Sequence, residues 1–494
     1  MQTCIRYLFA FLFLYNYINC QTITSTTTGG SWESASTWIG GVIPAEGNDV
    51  VINGTVSVTS SGSVCNNLTV NVGQVLQNGG GLGWVTLHIK GNLVNNGSIR
   101  NNPGGNSFNI ECWRNLQNNG EISLWYLYLP AQNVQYISQA AGRYFDADIR
   151  SSDVSGWGYS TGSLNAASDL TFSKSVQLTG YIANVGDQRT VLNMAGYNFI
   201  LRGEGELYNS TIQNAASIAT RDNARIRSSN ITGNTSIKGT GRIDDSNVYF
   251  ENDLIVSDTL QNGGSLGWVN LHIKGNLTNN GFIRNNLQAN QLNVEVWGNV
   301  YNNGEINIWY VYLPGQKIQY ISQSVGKYFN ADVRASDASG YGYNTGSIIA
   351  ASDLAFKKSV VLTGYVVGVG DQVNTIDMAG YNLFLSGEAQ LYNAIIKNIA
   401  SVTTLDNASV SSTTFEGDVS IKGTGRMSDS RVYFNGNVTV IDTLQNGGSL
   451  GWLTPVITGN ITNYGAVKNS YLGNSLCLDI RGNIYNYGYW NIWQ

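Results

Sequence analysis

Charge is scarce in this 494-residue chain: Asp, Glu, Lys and Arg make up 12%, about half the share of an ordinary soluble domain. Basic residues number 27 against 32 acidic ones, a net charge of -5, so no general electrostatic attraction to nucleic acid or to an anionic membrane is expected. Two histidines and five cysteines without metal-ligand spacing leave little material for a zinc site or a histidine-based triad. Phosphate-cradling and dinucleotide motifs are missing too, so neither metal nor cofactor is expected. Beyond the N-terminus there is no apolar run of about 18 residues, which argues against a transmembrane segment.

What the chain does have is glycine, 58 of them, and about 60 asparagines, together with a hydrophobic share of 42%. That share consists largely of Val, Ile, Leu, Tyr and Trp, which suit pleated strands and supply enough apolar surface to argue against disorder. The first residues read as a secretory signal peptide: Arg6, an apolar run from Tyr7 to Leu14, then Asn16 and Asn19 before Cys20. Cleavage is expected between Cys20 and Gln21, because Ile18-Asn19 lacks the small residues that lipidation of Cys20 would require. Cys65, Cys112 and Cys477 then remain. They form no disulfide framework, and Cys112 reads as a small buried apolar residue because Val296 and Ile480 take its place further on.

Self-similarity organises the rest. Leu76-Gln77-Asn78-Gly79-Gly80 recurs at Leu260 and again at Leu444, both at an offset of 184, and only four of 27 positions differ between 76–102 and 260–286. The third copy runs to Gln494. Within a copy a shorter period appears, because Asn92-Leu93-Val94-Asn95-Asn96-Gly97 returns as Asn115-Leu116-Gln117-Asn118-Asn119-Gly120. The interval from Asn92 to Asn115 fits about eight times into the longer offset, so each copy corresponds to about eight turns of a coil. Val85-Thr86-Leu87-His88-Ile89 alternates as a strand buried on one face does. Asn-Gly pairs at 96–97, 119–120, 280–281 and 303–304 mark corners, where glycine is expected to supply positive φ. An all-β parallel β-helix, a solenoid, follows, with asparagines stacked at equivalent corners. The organisation is a signal peptide at 1–20, a cap and first turns at 21–75, repeats at 76–259 and 260–443, and a partial repeat at 444–494.

The segment Gly30-Ser31-Trp32-Glu33-Ser34-Ala35-Ser36-Thr37-Trp38, with Gly47-Asn48-Asp49-Val50-Val51-Ile52 after it, resembles the start of secreted bacterial right-handed parallel β-helix proteins. It is also similar to the eight-glycine extracellular domain. The Gly-Asn-Leu-x-Asn-Asn-Gly turns and Val134-Gln135-Tyr136-Ile137-Ser138 resemble that family's rungs. The resemblance implies a right-handed coil, secretion and a surface role as adhesin, stalk or polysaccharide-handling protein, without fixing an activity.

Chemistry is sparse. Stacking at the shorter interval sets His88 over Glu111 and Lys90 over Trp113 on the outward face, and His272 over Glu295 and Lys274 over Trp297 in the second copy. Such a pair can act as acid and base or simply join two strands across the solvent face for about 0.2–1 kcal/mol. The third copy has Val456, Asp479, Thr458 and Arg481 there, which favours the second reading. Asp244-Asp245, the set Asp148, Arg150 and Asp153 with its counterpart Asp332, Arg334 and Asp337, and Gly186-Asp187 with Gly370-Asp371 offer no dense acidic groove or calcium loop. Trp84, Trp268 and Trp452 each follow Leu-Gly and point outward by alternation, where an indole can stack on a sugar ring, although coverage by a neighbouring loop or the sealing of a rung is the favoured reading of each. With Trp113 and Trp297 they are the candidate glycan-binding residues. The expected protein is a secreted or cell-surface structural or adhesive β-helix without catalytic activity. A polysaccharide-binding or polysaccharide-cleaving β-helix is the alternative.

Overall fold

Short apolar-polar alternations dictate short strands, and so short a strand is stable only when its neighbours pair with it on both sides. A computed structural model describes residues 21–492 apart from short stretches, the longest being 179–189 and 363–373. It is an all-β parallel solenoid of about 19 turns. The strand Val85–Ile89 lies parallel on Phe108–Cys112, with Val85 beside Phe108, Leu87 beside Ile110 and Ile89 beside Cys112. Among the described residues the exceptions to parallel pairing are contacts of one residue pair, Ser25 with Trp38, Thr220 with Thr240 and Thr404 with Thr424.

The chain divides into two compact units, Met1–Ala215 and Ala216–Gln494. In the first, a column of inward residues climbs from Leu76 through Ile99, Ile122, Phe145 and Phe172 to Leu201, and all are buried. In the second, Leu260, Ile283, Ile306, Phe329, Phe356, Leu385 and Thr404 form the equivalent column. The turns are uneven. The steps from Leu260 to Ile283, Ile306 and Phe329 are equal, those to Phe356 and Leu385 are longer, and the step to Thr404 is shorter than any before it. Strands must align to pair, whereas the loops between them can lengthen at small entropic cost. Aromatic residues sit where the steps lengthen, with Phe329 and Phe356 stacked at 5.5 Å and Phe145 and Phe172 likewise at 5.5 Å. Cys112 and its counterpart Val296 are both buried in the core, and burial pushes the Cys112 thiol up to about 12.

The N-terminal tryptophans close the first turns. Trp32 and Trp38 are buried edge to face, 5.1 Å apart, and Trp38 Nε1 donates to the Trp32 carbonyl at 2.8 Å. Glu33 accepts from Thr59 N at 3.1 Å, Ser60 N at 2.9 Å and Ser63 Oγ at 2.7 Å, tying this segment to the rung after it.

Asparagines stack as the repeat implies. Asn95 Nδ2 donates to Asn118 Oδ1 at 2.9 Å and to the Glu121 carbonyl at 2.8 Å, and Asn279 treats Asn302 and Glu305 the same way at 2.9 and 3.1 Å. Asn95, Asn118, Asn279 and Asn302 are fully buried, so each ladder satisfies polar groups inside the coil at its corner.

The corner glycines need correction. Gly97, Gly120, Gly281 and Gly304 do not adopt positive φ. Their requirement is space: a Cβ on Gly120 would lie 2.0 Å from the Gly97 carbonyl oxygen, and one on Gly304 the same distance from that of Gly281. Successive corners press backbone on backbone, leaving no room for a side chain. Gly120→Ala is therefore expected to destabilise the fold by about 1–3 kcal/mol through overpacking. Gly80→Ala, with nothing within 4 Å of its Cβ, should change stability by less than about 0.5 kcal/mol; urea unfolding of the two variants tests the difference.

Candidate functional site: aromatic platforms beside a buried carboxylate clamp

On the sheet face built by Val85–Ile89, Phe108–Cys112 and Glu121–Tyr128, Glu111 pairs with His88 on one side and with Tyr128 on the other. The expected stacking is present, but the setting is not the solvent face anticipated from alternation. Glu111 is only 2% exposed and Glu295 4%. The segment after the strand Phe145–Arg150 folds back over this face, and Val154 N donates to Glu111 Oε2 at 3.0 Å. Oε1 receives His88 Nδ1 at 3.1 Å and Trp113 Nε1 at 2.6 Å, with Lys90 Nζ at 3.7 Å. In the second copy Glu295 gathers His272 at 3.1 Å, Trp297 at 2.6 Å and the Ala338 amide at 2.9 Å.

Burial pushes the Glu111 carboxyl up, but the hydrogen bonds from His88, Val154 and Trp113 outweigh it and hold the group down at about 2. Glu295 is lowered for the same reasons. The hydrogen bond to Glu111 raises His88, against the opposing effect of burial, and His88 Nε2 meets the Ser61 carbonyl at 3.0 Å. Both ring nitrogens thus face acceptors, the arrangement of an imidazolium. A carboxylate so enclosed, with each oxygen committed, is a clamp that pins a loop to the sheet rather than an acid poised to give up a proton.

The other acidic candidates are also committed. Asp245 caps Ser228 through its amide at 2.9 Å and its hydroxyl at 2.7 Å, and Asp429 does the same for Ser412. Asp244 pairs with Arg225 at 3.5 Å. Asp153 and Asp337 fold their own loops by accepting from Ser155 N and Ser339 N, both at 3.0 Å. Asp148 and Asp332 accept the amides of Ser175 and Ser359 at 3.1 and 3.0 Å. Gly186-Asp187 and Gly370-Asp371 lie outside the described residues.

Trp84, Trp268 and Trp452 are 61%, 62% and 67% exposed. Trp84 does not stand alone. Trp125 lies 6.3 Å away and Tyr126 6.1 Å away, Tyr128 continues from Tyr126 at 5.5 Å, and the Arg150 guanidinium covers Tyr126 at 4.7 Å. The second copy rebuilds this cluster with Trp268, Trp309, Tyr310, Tyr312 and Arg334, with Trp309 6.5 Å and Tyr310 6.4 Å from Trp268. In the third copy the sequence counterpart of Trp125 is Trp493, which lies outside the described residues. A register shift between Ser123 and Tyr126 makes the cluster possible. Leu124 and Leu127 both turn inward and are buried, so the two residues between them both face out. The Leu-Trp-Tyr-Leu spacing at 124–127, repeated as Ile-Trp-Tyr-Val at 308–311, carries that signal in the sequence. Serines fix each loop from the turn before: Ser61 Oγ donates to the Trp84 carbonyl at 3.0 Å, and Ser246 Oγ to that of Trp268 at 3.1 Å.

Trp113 and Trp297 differ from these. Each is partly buried, gives its N–H to the clamp, and has a lysine, Lys90 or Lys274, over its ring at 4.4 Å. Among the described residues no helix is long and apolar enough to cross a membrane. Comparison with known proteins finds no matching family profile, curated sequence or solved structure, so function must be read from the side chains themselves.

The clamp has a defined pH window. Because Glu111 is lowered, its stabilisation is present above the ordinary carboxylate range and is lost as pH falls toward 2. Because His88 is raised, its contribution is present below about 6.5 and is lost as pH climbs through the raised value. Glu111→Gln is expected to cost about 1.5–3 kcal/mol. The gap in thermal midpoint from the parent should be widest between about pH 4.5 and 6.5 and narrow on both sides.

Proposed function

We propose that this protein is a secreted or cell-surface β-helix that works without catalysis, adhering to polysaccharide through its repeated aromatic platforms. One observation carries the reading: two copies of the repeat hold the same cluster, Trp84 with Trp125 and Tyr126, and Trp268 with Trp309 and Tyr310, in nearly the same geometry. Flat, rigid aromatics presented together lose little entropy on contact and offer apolar faces to the C–H faces of sugar rings. A core in need of sealing would bury these rings, whereas Trp84 and Trp268 are more than half exposed. Repetition adds avidity, because a long polymer that occupies one platform meets the next at high effective concentration.

The apolar N-terminal run from Tyr7 to Leu14, ahead of Cys20, supports export. The similarity of 30–52 to the start of secreted bacterial right-handed parallel β-helix proteins agrees with a surface role. The His-paired Glu111 and Glu295 are buried and fully engaged, so these pairs do not supply the accessible carboxylate that a polysaccharide-cleaving role would need.

Retention of the chain from Gln21 on immobilised neutral polysaccharides is the test, with release of new reducing or unsaturated ends scored in the same wells. Trp84→Ala with Trp125→Ala should weaken retention about tenfold, and adding Trp268→Ala with Trp309→Ala should abolish it, with no new ends released. Retention unchanged in the fourfold variant, or ends released by the parent, refutes this function.

A further inference from the structure

Beside Trp113 lies an open cavity of about 420 Å³ that shares no residue with the platforms. It is lined by Glu46, Lys90, Asn92, Trp113, Arg114 and Asn115, with residues 132–134 completing its wall. Its rim is held in place from below: the buried Gln135 donates through Nε2 to the Cys112 carbonyl at 3.1 Å and to the Arg114 carbonyl.

The stacking of asparagines decides what this cavity offers. Asn92 Oδ1 accepts the Asn115 amide at 3.1 Å, and Asn115 Oδ1 accepts the Tyr136 amide at 2.9 Å. The ladder thus occupies the side-chain oxygens and leaves N–H groups to donate, both on Asn115 and one on Asn92, whose Nδ2 also reaches Asn67 Oδ1 at 3.1 Å. Lys90, held near Glu111 and over the Trp113 ring, adds positive charge rather than a free donor. Arg114 is exposed, and among the described residues its guanidinium has neither hydrogen bond nor ion pair. A concave site in which the Arg114 fork and the remaining asparagine N–H groups are uncommitted, with the Trp113 indole among its lining, selects a ligand that combines an anionic acceptor with a flat apolar face. Glu46 is the acidic side chain in the wall, suited to accept from a hydroxyl.

We propose that this cavity binds a carboxylate-bearing sugar within an acidic oligosaccharide. The Arg114 fork takes the carboxylate through two parallel hydrogen bonds, Asn92 and Asn115 donate to ring oxygens, and the ring lies beside Trp113, one face of which Lys90 covers. Gly298 stands at the position of Arg114 in the second copy, so the fork is particular to the first.

The test titrates a hexamer of galacturonic acid into the chain from Gln21 by calorimetry, with the fully methyl-esterified hexamer as the neutral control. The acid is expected to bind at least tenfold more tightly than the ester. Arg114→Ala should lose at least tenfold and Arg114→Lys should recover only part of it, with unchanged thermal midpoints because Arg114 is exposed. The Trp84→Ala, Trp125→Ala variant should bind the hexamer as the parent does, which separates this site from platform adhesion to neutral polymers. Equal affinity for acid and ester, no binding of the acid by the parent, or an Arg114→Ala variant that binds like the parent overturns the proposal.

Discussion

Within each unit the described turns are joined by backbone hydrogen bonds between parallel strands, and that pairing obliges equivalent residues to lie one above another. The consequence reaches beyond the backbone. Apolar residues form columns, Leu76 under Ile99 under Ile122. Asparagines form ladders, Asn95 under Asn118. Glycines meet where corners press together, as Gly97 and Gly120 do. The same constraint explains the composition, because a stacked corner tolerates asparagine and glycine where a charged side chain would be set against its own copy. Low charge and high asparagine are thus two results of one geometry.

Stacking also separates the two kinds of outward feature. Where the chain returns over the sheet, as it does at Val154 and Ala338, the outward residues beneath are enclosed, and Glu111 and Glu295 become anchors. Where it does not return, Trp84 and Trp268 stay open. Orientation relative to the core therefore does not decide accessibility; the loops do. This is why two outward positions on one sheet, Glu111 and Trp125, have opposite fates, one pinning a loop and the other left exposed.

Much of the architecture was legible because the first turns of each copy repeat the same words at a constant interval, so alternation and spacing reinforce each other. The later turns were not legible individually. The longer steps to Phe356 and Leu385 and the shorter one to Thr404 break the spacing, and strands such as Leu354–Phe356 are too short for alternation to register. The enclosure of Glu111 was beyond local reading, since its covering amide, Val154, lies 43 residues away. The outward direction of the tryptophans after Leu-Gly was readable from alternation; their exposure, which depends on the loops, was not. Their partners Trp125 and Tyr126 were hidden by a register shift, although the spacing of Leu124 and Leu127 marks it. Positive φ at the Asn-Gly corners was the natural inference from turn chemistry, yet crowding between successive turns, a property of the stack and not of the turn, is what demands glycine there.

The uneven turns carry a further meaning. From Leu76 to Leu201 and again from Leu260 to Leu385, equal steps are followed by the same two longer ones, in the same order. Inheritance therefore acted on the whole block of turns, since copying single turns would have made the steps alike. A chain that gained or lost one such block would still set its strands against partners of matching length, so the number of blocks is free to vary without the core of any block being rebuilt.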